Sequence, residues 1–189
     1  MRITGGLYRG RVVTCPPGEI RPAMDKMRES LFSILGNISD TSFLDLFSGS
    51  GLVGIEAASR GAEPVHLVEM DGGKKPTIQK NIGFVESDIK LFVANVLRFL
   101  PQAKQQYHIV YADPPFPMKN KTALATLVDK HHVLEPGGLF IIHYPAEEQK
   151  LWPQQIGSLT WIDERKYGRS LLRFYKETRT DHADIERHL

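Results

Sequence analysis

The sequence has little of what staples a chain together or carries it through a membrane. One cysteine, Cys15, stands among 189 residues. It has no partner within the chain, which excludes a disulfide module and a Cys-rich zinc module. No apolar run exceeds four residues, Leu139 to Ile142 being one such run. A membrane helix needs about 20. The opening Met1-Arg-Ile-Thr-Gly-Gly6 holds no apolar stretch, so no signal peptide is expected. These absences point to the cytoplasm. Net charge is small, at +2, and 41% apolar with 24% charged residues is an ordinary folded composition, not a disordered one. The length suits one domain, or a core with a small appendage.

What charge there is lies unevenly. Residues 1–30 hold six bases (Arg2, Arg9, Arg11, Arg21, Lys26, Arg28) against three acids (Glu19, Asp25, Glu29). A second basic cluster is Arg165, Lys166, Arg169, Arg173 and Lys176, with no acid among residues 165–176. If the chain ends fold together, the two clusters form one surface that attracts a polyanion; otherwise they are solvated faces.

Strand and helix patterns alternate. Residues 2–14 read as a β-hairpin around Gly5, Gly6 and Gly10, and the proline-rich 15–23 as a linker. A helix is expected over 24–36, with Met27, Leu31, Ile34 and Leu35 on one face. Strands are expected at 43–47, 65–68, 90–94, 109–112 and 139–143, with helices at 52–60, 74–83, 96–100 and 121–132 between them. Two more strands, 158–166 and 170–176, turn at Gly168, and a polar tail follows from 177. This order predicts an α/β fold: a doubly wound, Rossmann-like, mostly parallel sheet with an antiparallel C-terminal hairpin. The expected division is an N-terminal extension over 1–20, a core over 21–176 and a tail over 177–189. Ligands of such sheets bind beyond the carboxyl ends of the strands, where strand order reverses.

Two strands end in unusual residues. After the first, Gly49-Ser50-Gly51-Leu52-Val53-Gly54 matches G-x-G-x-x-G between a strand and a helix, where backbone can approach a nucleoside-bearing cofactor. Glu69, 20 residues after Gly49, is placed to take both hydroxyls of a ribose. The motif alone does not separate NAD from S-adenosylmethionine. Asp45, inside the strand, is expected to point towards the cofactor tail. A carboxylate there opposes a pyrophosphate and favours the ammonium and sulfonium of S-adenosylmethionine. Asn95, after the third strand, offers an acceptor for an adenine amino group, or is a surface turn residue.

After the fourth strand comes Asp113-Pro114-Pro115-Phe116. The prolines stiffen the backbone and remove two amide donors. A rigid rim of acceptors remains, the Asp113 carboxylate and the Pro114 carbonyl, with Phe116 as an aromatic plate. That arrangement suits a planar ring bearing an exocyclic NH2. The two acceptors draw on its two hydrogens and help return the lone pair to nitrogen for in-line methyl transfer.

Asp45-Leu-Phe-Ser-Gly-Ser-Gly51 with Asp113-Pro-Pro-Phe116 resembles the class I S-adenosylmethionine-dependent amino-methyltransferases. Further segments resemble the bacterial RsmD family: Met1 to Arg11, Arg21-Pro-Ala-Met-Asp-Lys-Met-Arg-Glu-Ser-Leu-Phe-Ser-Ile-Leu35, Val68-Glu69-Met70-Asp71 and Tyr167-Gly168. The resemblance covers residues 1 to about 176. It implies methylation of the exocyclic N2 of a guanine in 16S ribosomal RNA. The implied partner is that RNA within a small ribosomal subunit or assembly intermediate, met by a monomer with no membrane contact. The implied cofactor set is Asp45, Phe47, Ser48, Gly49, Ser50, Gly51, Glu69, Met70, Asn95 and Val96. The implied catalytic set is Asp113, Pro114, Pro115 and Phe116. Arg9, Arg11 and Arg21 are expected on RNA, and Arg28 on RNA or the cofactor carboxylate. The chain departs from the family at Ala23, Met24, Asn95 and Phe116, where Thr, Thr, Asp and Tyr are commoner.

No zinc site is expected, since the adjacent pair His131-His132 cannot face one ion. Other readings stay open. A DNA adenine-N6 enzyme would use the same rim, but little length is left for a target-recognition domain. A protein glutamine methyltransferase would typically carry Asn at the start of the Pro-Pro motif. A nicotinamide-dependent reductase is opposed by Asp45 and the Asp-Pro-Pro-Phe rim. A non-catalytic RNA-binding module leaves that rim unexplained.

Overall fold

The computed structural model describes residues 1–15 and 22–179, with the side chains of the first helix described from Asp25 onward. That helix, α1 (Pro22–Leu35), leads into alternating strands and helices: β1 (Phe43–Leu46), α2 (Leu52–Ser59), β2 (Val65–Glu69), α3 (Lys75–Ile82), β3 (Ile89–Val93), α4 (Val96–Phe99), β4 (Tyr107–Ala112), α5 (Thr122–Lys130) and β5 (Leu134–Pro145). β6 (Gln155–Ile156), β7 (Leu159–Tyr167) and β8 (Ser170–Glu177) complete the sheet. Among the described residues, no helix is long and apolar enough to cross a membrane.

The strands form one sheet in the order β3-β2-β1-β4-β5-β8-β7-β6. The first five are parallel to one another, and β8, β7 and β6 are each antiparallel to the strand before it in that order. The expected doubly wound sheet with a C-terminal hairpin is therefore present. Strand order reverses between β1 and β4, where the register pairs Leu46 with Val68 on one side and with Ala112 on the other.

Both faces of the parallel strands are covered, as parallel ladders require. Alternate residues divide between two cores. Leu44, Leu46, Val110, Ala112, Phe140 and Ile142 pack with Leu124 and Val128 of α5. Phe43, Leu67, Ile109, Tyr111 and Ile141 pack with Met27, Leu31 and Phe32 of α1 and Ala57 and Ala58 of α2. Ile34 was expected on the buried face of α1 but is exposed. Its neighbour Leu35 packs on the core instead.

The N-terminal segment folds back on itself over a short antiparallel pairing: Arg2 bridges Val12, the Ile3 amide donates to the Arg11 carbonyl at 3.0 Å and the Val13 amide to the Met1 carbonyl at 2.8 Å. Gly6 (φ 75) and Gly10 (φ 84) turn the backbone before a ladder can lengthen. The segment is held by its contacts on α2: Ile3, Tyr8 and Val13 pack against Leu52 and Ile55. The Leu7 amide donates to the Ser59 carbonyl, and the Tyr8 amide to Ser59 Oγ.

A buried carboxylate ties this extension to two helices. Glu56 of α2 is fully buried and accepts from the Thr4 amide at 3.1 Å, Arg28 Nε at 2.9 Å and Arg60 Nη2 at 2.9 Å. The Arg28 guanidinium also donates to Asp25 (2.9 Å) and to the Arg2 carbonyl (2.8 Å). Glu56→Ala leaves a buried guanidinium short of its counter-charge, so a loss of about 3 kcal/mol is expected. Thermal unfolding checks this, since each kcal/mol corresponds to about 2–4 °C in a chain of this size. An unchanged Tm would show that the network contributes nothing.

Candidate active site

β1 ends in a turn that no ordinary helix start would make. Phe47 takes a left-handed backbone (φ 65), as do Gly49 (φ 59) and Gly51 (φ 79). At Phe47, a residue with a side chain, this costs on the order of 1–3 kcal/mol. The Ser48 amide donates to the Val68 carbonyl at 2.9 Å, and the Gly51 amide to the Ser48 carbonyl at 2.7 Å. Gly54 has no space for a Cβ, which would meet the Leu67 side chain. The glycine pattern is thus set partly by helix–sheet packing.

A cavity of about 1060 Å³ opens over the carboxyl ends of β1, β2, β4 and β5. Ligand sites of this kind usually measure roughly 300–1,000 Å³, so this one has room for a cofactor and part of a substrate. Of the predicted cofactor residues, Phe47, Gly49, Glu69, Met70, Asn95 and Val96 line it. The whole Asp113-Pro114-Pro115-Phe116 segment lines it as well.

Glu69 is nearly buried. Its Oε2 accepts from the Gly49 amide at 2.9 Å, and its Oε1 from the Asp71 amide at 2.9 Å. Lys74 Nζ lies 3.4 Å from Oε2. Beyond Glu69, exposed Met70, buried Val96 and half-exposed Leu97 form an apolar wall.

Asn95 lies in that wall; its Oδ1 accepts from the Leu97 amide at 2.9 Å and caps α4, which orients the side chain and leaves the oxygen its second lone pair. Asp45 corrects an expectation. It does not line the cavity; its Oδ2 accepts from the Gly54 amide at 3.0 Å inside the first turn of α2. Ser48, Ser50 and Gly51 shape the turn behind the cavity wall. The Ser48 hydroxyl is buried with no hydrogen-bond partner among the described residues.

Asp45 reaches the site through its charge. Burial pushes its carboxyl well above the usual carboxylate range, the Gly54 amide opposes this, and Asp113 and Glu69 raise it further. Three carboxylates therefore converge here, and a cationic ligand would relieve their repulsion.

Beyond β4, the Asp113 amide donates to the Leu46 carbonyl at 3.3 Å, which anchors the rim to β1. The Asp113 carboxylate meets His143 Nδ1 at 2.7 Å. The rest of the loop is held from below by Lys121, whose buried Nζ donates to the Phe116 carbonyl (2.8 Å), the Met118 carbonyl (2.7 Å) and Glu148 (2.7 Å). Across the mouth, the Tyr167–Ser170 turn between β7 and β8 overhangs the cavity, and the Tyr167 hydroxyl bonds Ser30 of α1 at 2.5 Å.

Sequence reasoning missed His143, Lys74, Leu97 and Lys121. His143 meets Asp113 across 30 residues of sequence, and no motif marks Lys74, Leu97 or Lys121, although Glu69, Asn95 and Phe116 lie within five residues of them. The basic residues fare differently. Arg28 is a correction: it is buried in the Glu56 network, so it faces neither RNA nor cofactor. Arg9 and Arg11 are exposed, but their loop packs on the carboxyl end of α2 and beside Phe84, before β3. The structure does not bring them to the cavity. Arg21 lies outside the described residues. Arg173 leaves the expected basic cluster, being buried with Nε 2.7 Å from Glu164. Arg169 is almost fully exposed, beside Glu147, and lines the mouth.

A nucleoside cofactor with a cationic tail fits the residues present. Glu69 suits a ribose, the apolar wall suits a base, and the unpartnered Ser48 hydroxyl and the three carboxylates suit a polar, positively charged end. Among the described residues, no cluster of His, Cys, Asp or Glu could hold a metal.

The sheet order, the glycine turn and the Asp-Pro-Pro-Phe rim at one switch point define a class I methyltransferase fold. The comparisons agree. The family model described as "Conserved hypothetical protein 95" matches residues 1–176. Ribosomal RNA small subunit methyltransferase D of Escherichia coli is 31% identical over 98% of this chain and 94% of its own length. Putative rRNA methyltransferase YlbH of Bacillus subtilis is 31% identical over 94% and 99%. The solved structure of the putative methyltransferase yhhF from Escherichia coli superposes with a TM-score of 0.84 at 30% identity, covering 95% of this chain and 99% of that one. The chain belongs to this family, the RsmD family.

Asp45 also sets a pH dependence. Its folded pKa is raised, so the native state holds the proton longer than the unfolded chain, whose value is about 3.9. Stability from this group is full below that value and is lost as pH rises towards the folded value. Asp45→Asn keeps an acceptor for the Gly54 amide and cannot ionise. The expected outcome is a Tm raised by a few degrees at pH 8 and little changed at pH 4. A lower Tm at pH 8 would refute this account of Asp45.

Proposed function

We propose that the protein transfers the methyl group of S-adenosylmethionine to the exocyclic N2 amine of a guanine in 16S ribosomal RNA, within a small ribosomal subunit or its assembly intermediate. The observation that carries the reading is that Glu69 and Asp113 line one cavity whose rim is Asp-Pro-Pro-Phe, with Asp45 buried in the strand behind it. A pyrophosphate would meet the carboxylates of Glu69 and Asp113 there, which disfavours a nicotinamide cofactor; a sulfonium is favoured by the same charges. The relatives named for small-subunit ribosomal RNA methylation support the choice of RNA. The reaction belongs to the cytoplasm, and the acting form is a monomer.

Bound, the cofactor supplies a methyl group made electrophilic by its sulfonium. Glu69 would hold the ribose hydroxyls, and Met70, Val96 and Leu97 the base. The target guanine must leave its stack to reach the rim. Phe116 would lie against its ring. Asp113 and the Pro114 carbonyl would accept its two amine hydrogens, aiming the lone pair towards the methyl carbon. Once nitrogen is methylated and cationic, Asp113 takes its proton.

The decisive experiment supplies methyl-labelled S-adenosylmethionine with small ribosomal subunits, naked 16S RNA, DNA and protein extract in separate reactions. Label recovered as N2-methylguanosine is the expected result, and label only in DNA adenine or in protein would sink the reading. Asp113→Ala is expected to cut transfer by at least about 100-fold while binding of S-adenosylhomocysteine by calorimetry is retained. Loss of both would make Asp113 a structural residue.

A further inference from the structure

His143 sits on β5 directly after Ile142, which pairs with Ala112 of β4. The parallel register therefore places it beside Asp113, 30 positions away in sequence. Its ring is 4% exposed, and Nδ1 lies 2.7 Å from Asp113 Oδ1. An ionised carboxylate can only accept, so Nδ1 carries the hydrogen and donates it. Nε2 is buried and without a hydrogen-bond partner among the described residues. The same ring lies 5.4 Å from that of Phe116, at 58° to it. One side chain thus touches both ends of the Asp-Pro-Pro-Phe rim. Burying an imidazole with one nitrogen unpartnered is a poor packing choice, since an apolar side chain would fill the space without that penalty.

We propose that His143 is the positioning residue of methyl transfer. Its Nδ1–H occupies Oδ1 and fixes the carboxylate plane, so that Oδ2 faces the substrate amine together with the Pro114 carbonyl. This rests on the reading of Asp113 as the acceptor of that amine. In the transfer, the N–CH3 bond forms as the S–CH3 bond breaks, and the positive charge passes from sulfur to nitrogen. Nitrogen then gives one proton to Oδ2, while Oδ1 keeps its hydrogen bond from His143. The imidazole neither gains nor loses a proton in the step. With Oδ1 so held, the carboxylate meets the amine in one orientation.

Two variants and one spectrum test this. His143→Leu fills the space without a donor, and His143→Asn places an amide N–H near the position of Nδ1. His143→Leu is expected to lower kcat on the order of 100-fold, the cost of misplacing a reacting group by about 1 Å. KM for S-adenosylmethionine and the Kd of S-adenosylhomocysteine are expected to stay close to native. His143→Asn is expected to recover most of the lost kcat. A native kcat in His143→Leu overturns the proposal, as does loss of cofactor binding together with kcat. The native protein supplies the readout that needs neither turnover nor a folded variant. Two-dimensional ¹⁵N–¹H spectra of its imidazoles should show His143 as the Nδ1–H tautomer, and an Nε2–H tautomer overturns the proposal. If native protein methylates no substrate, the proposed function fails, and the tautomer still reads the His143–Asp113 contact by itself.

Discussion

The site depends on the parallel ladders that hold β1 between β2 and β4, and β4 beside β5. Helices cover both faces of the central strands β1, β2 and β4, which are buried almost throughout, so the ends of those strands are where a ligand can reach them. At the carboxyl ends, the register brings the glycine turn after β1, Glu69 at the end of β2, and Asp113 and His143 beyond β4 and within β5 into one row. A slip of one residue in either strand would turn these side chains to opposite faces. Asp45 would leave the Gly54 amide, and Asp113 would leave His143.

Two buried carboxylates show how similar burial serves different ends. Glu56 has guanidinium groups from Arg28 and Arg60 and an amide from Thr4, and it fastens the N-terminal extension and α1 to α2. Asp45 has one amide and faces two further carboxylates, Glu69 and Asp113. The first arrangement is satisfied within the protein. The second leaves a field that a bound cation would complete, at a cost to the stability of the empty site. The buried Lys121 below the Asp-Pro-Pro-Phe loop is the counterpart on the loop side, because it spends its donors on two loop carbonyls and Glu148. The loop is thus rigid before any substrate arrives.

Much of this could be read along the chain. Short apolar runs punctuated by glycine and proline marked β1 to β4 and the helices between them to within a few residues, because period and turn chemistry are local. The Asp-Pro-Pro-Phe segment and the glycine turn were visible for the same reason. β5 begins five residues earlier than its apolar run, at Leu134, because Leu134 pairs with Tyr107 before the ladder shifts past Pro136-Gly137-Gly138. The N-terminal segment had the turn residues of a hairpin and forms a short one, and its packing on α2 could not be read from the chain. Arg28 looked like a surface charge because its sequence neighbours say nothing of Glu56, 28 residues on. Asn95 stands in the cavity wall where its motif placed it, and its cap on α4 could not be read from the chain before the helix start was known.

By itself, the sequence determined the layer order, the residues at the ends of β1 and β4, and the family, since each is written in local pattern and motif. Tertiary structure decided which of the charged and polar side chains take part. Lys121 and His143 entered the site's supporting structure, Arg28 left the predicted site, and Asp45 turned inward to the Gly54 amide. The physical reason is that burial and pairing depend on what lies across the sheet, and the parallel register sets those neighbours tens of residues apart in the chain.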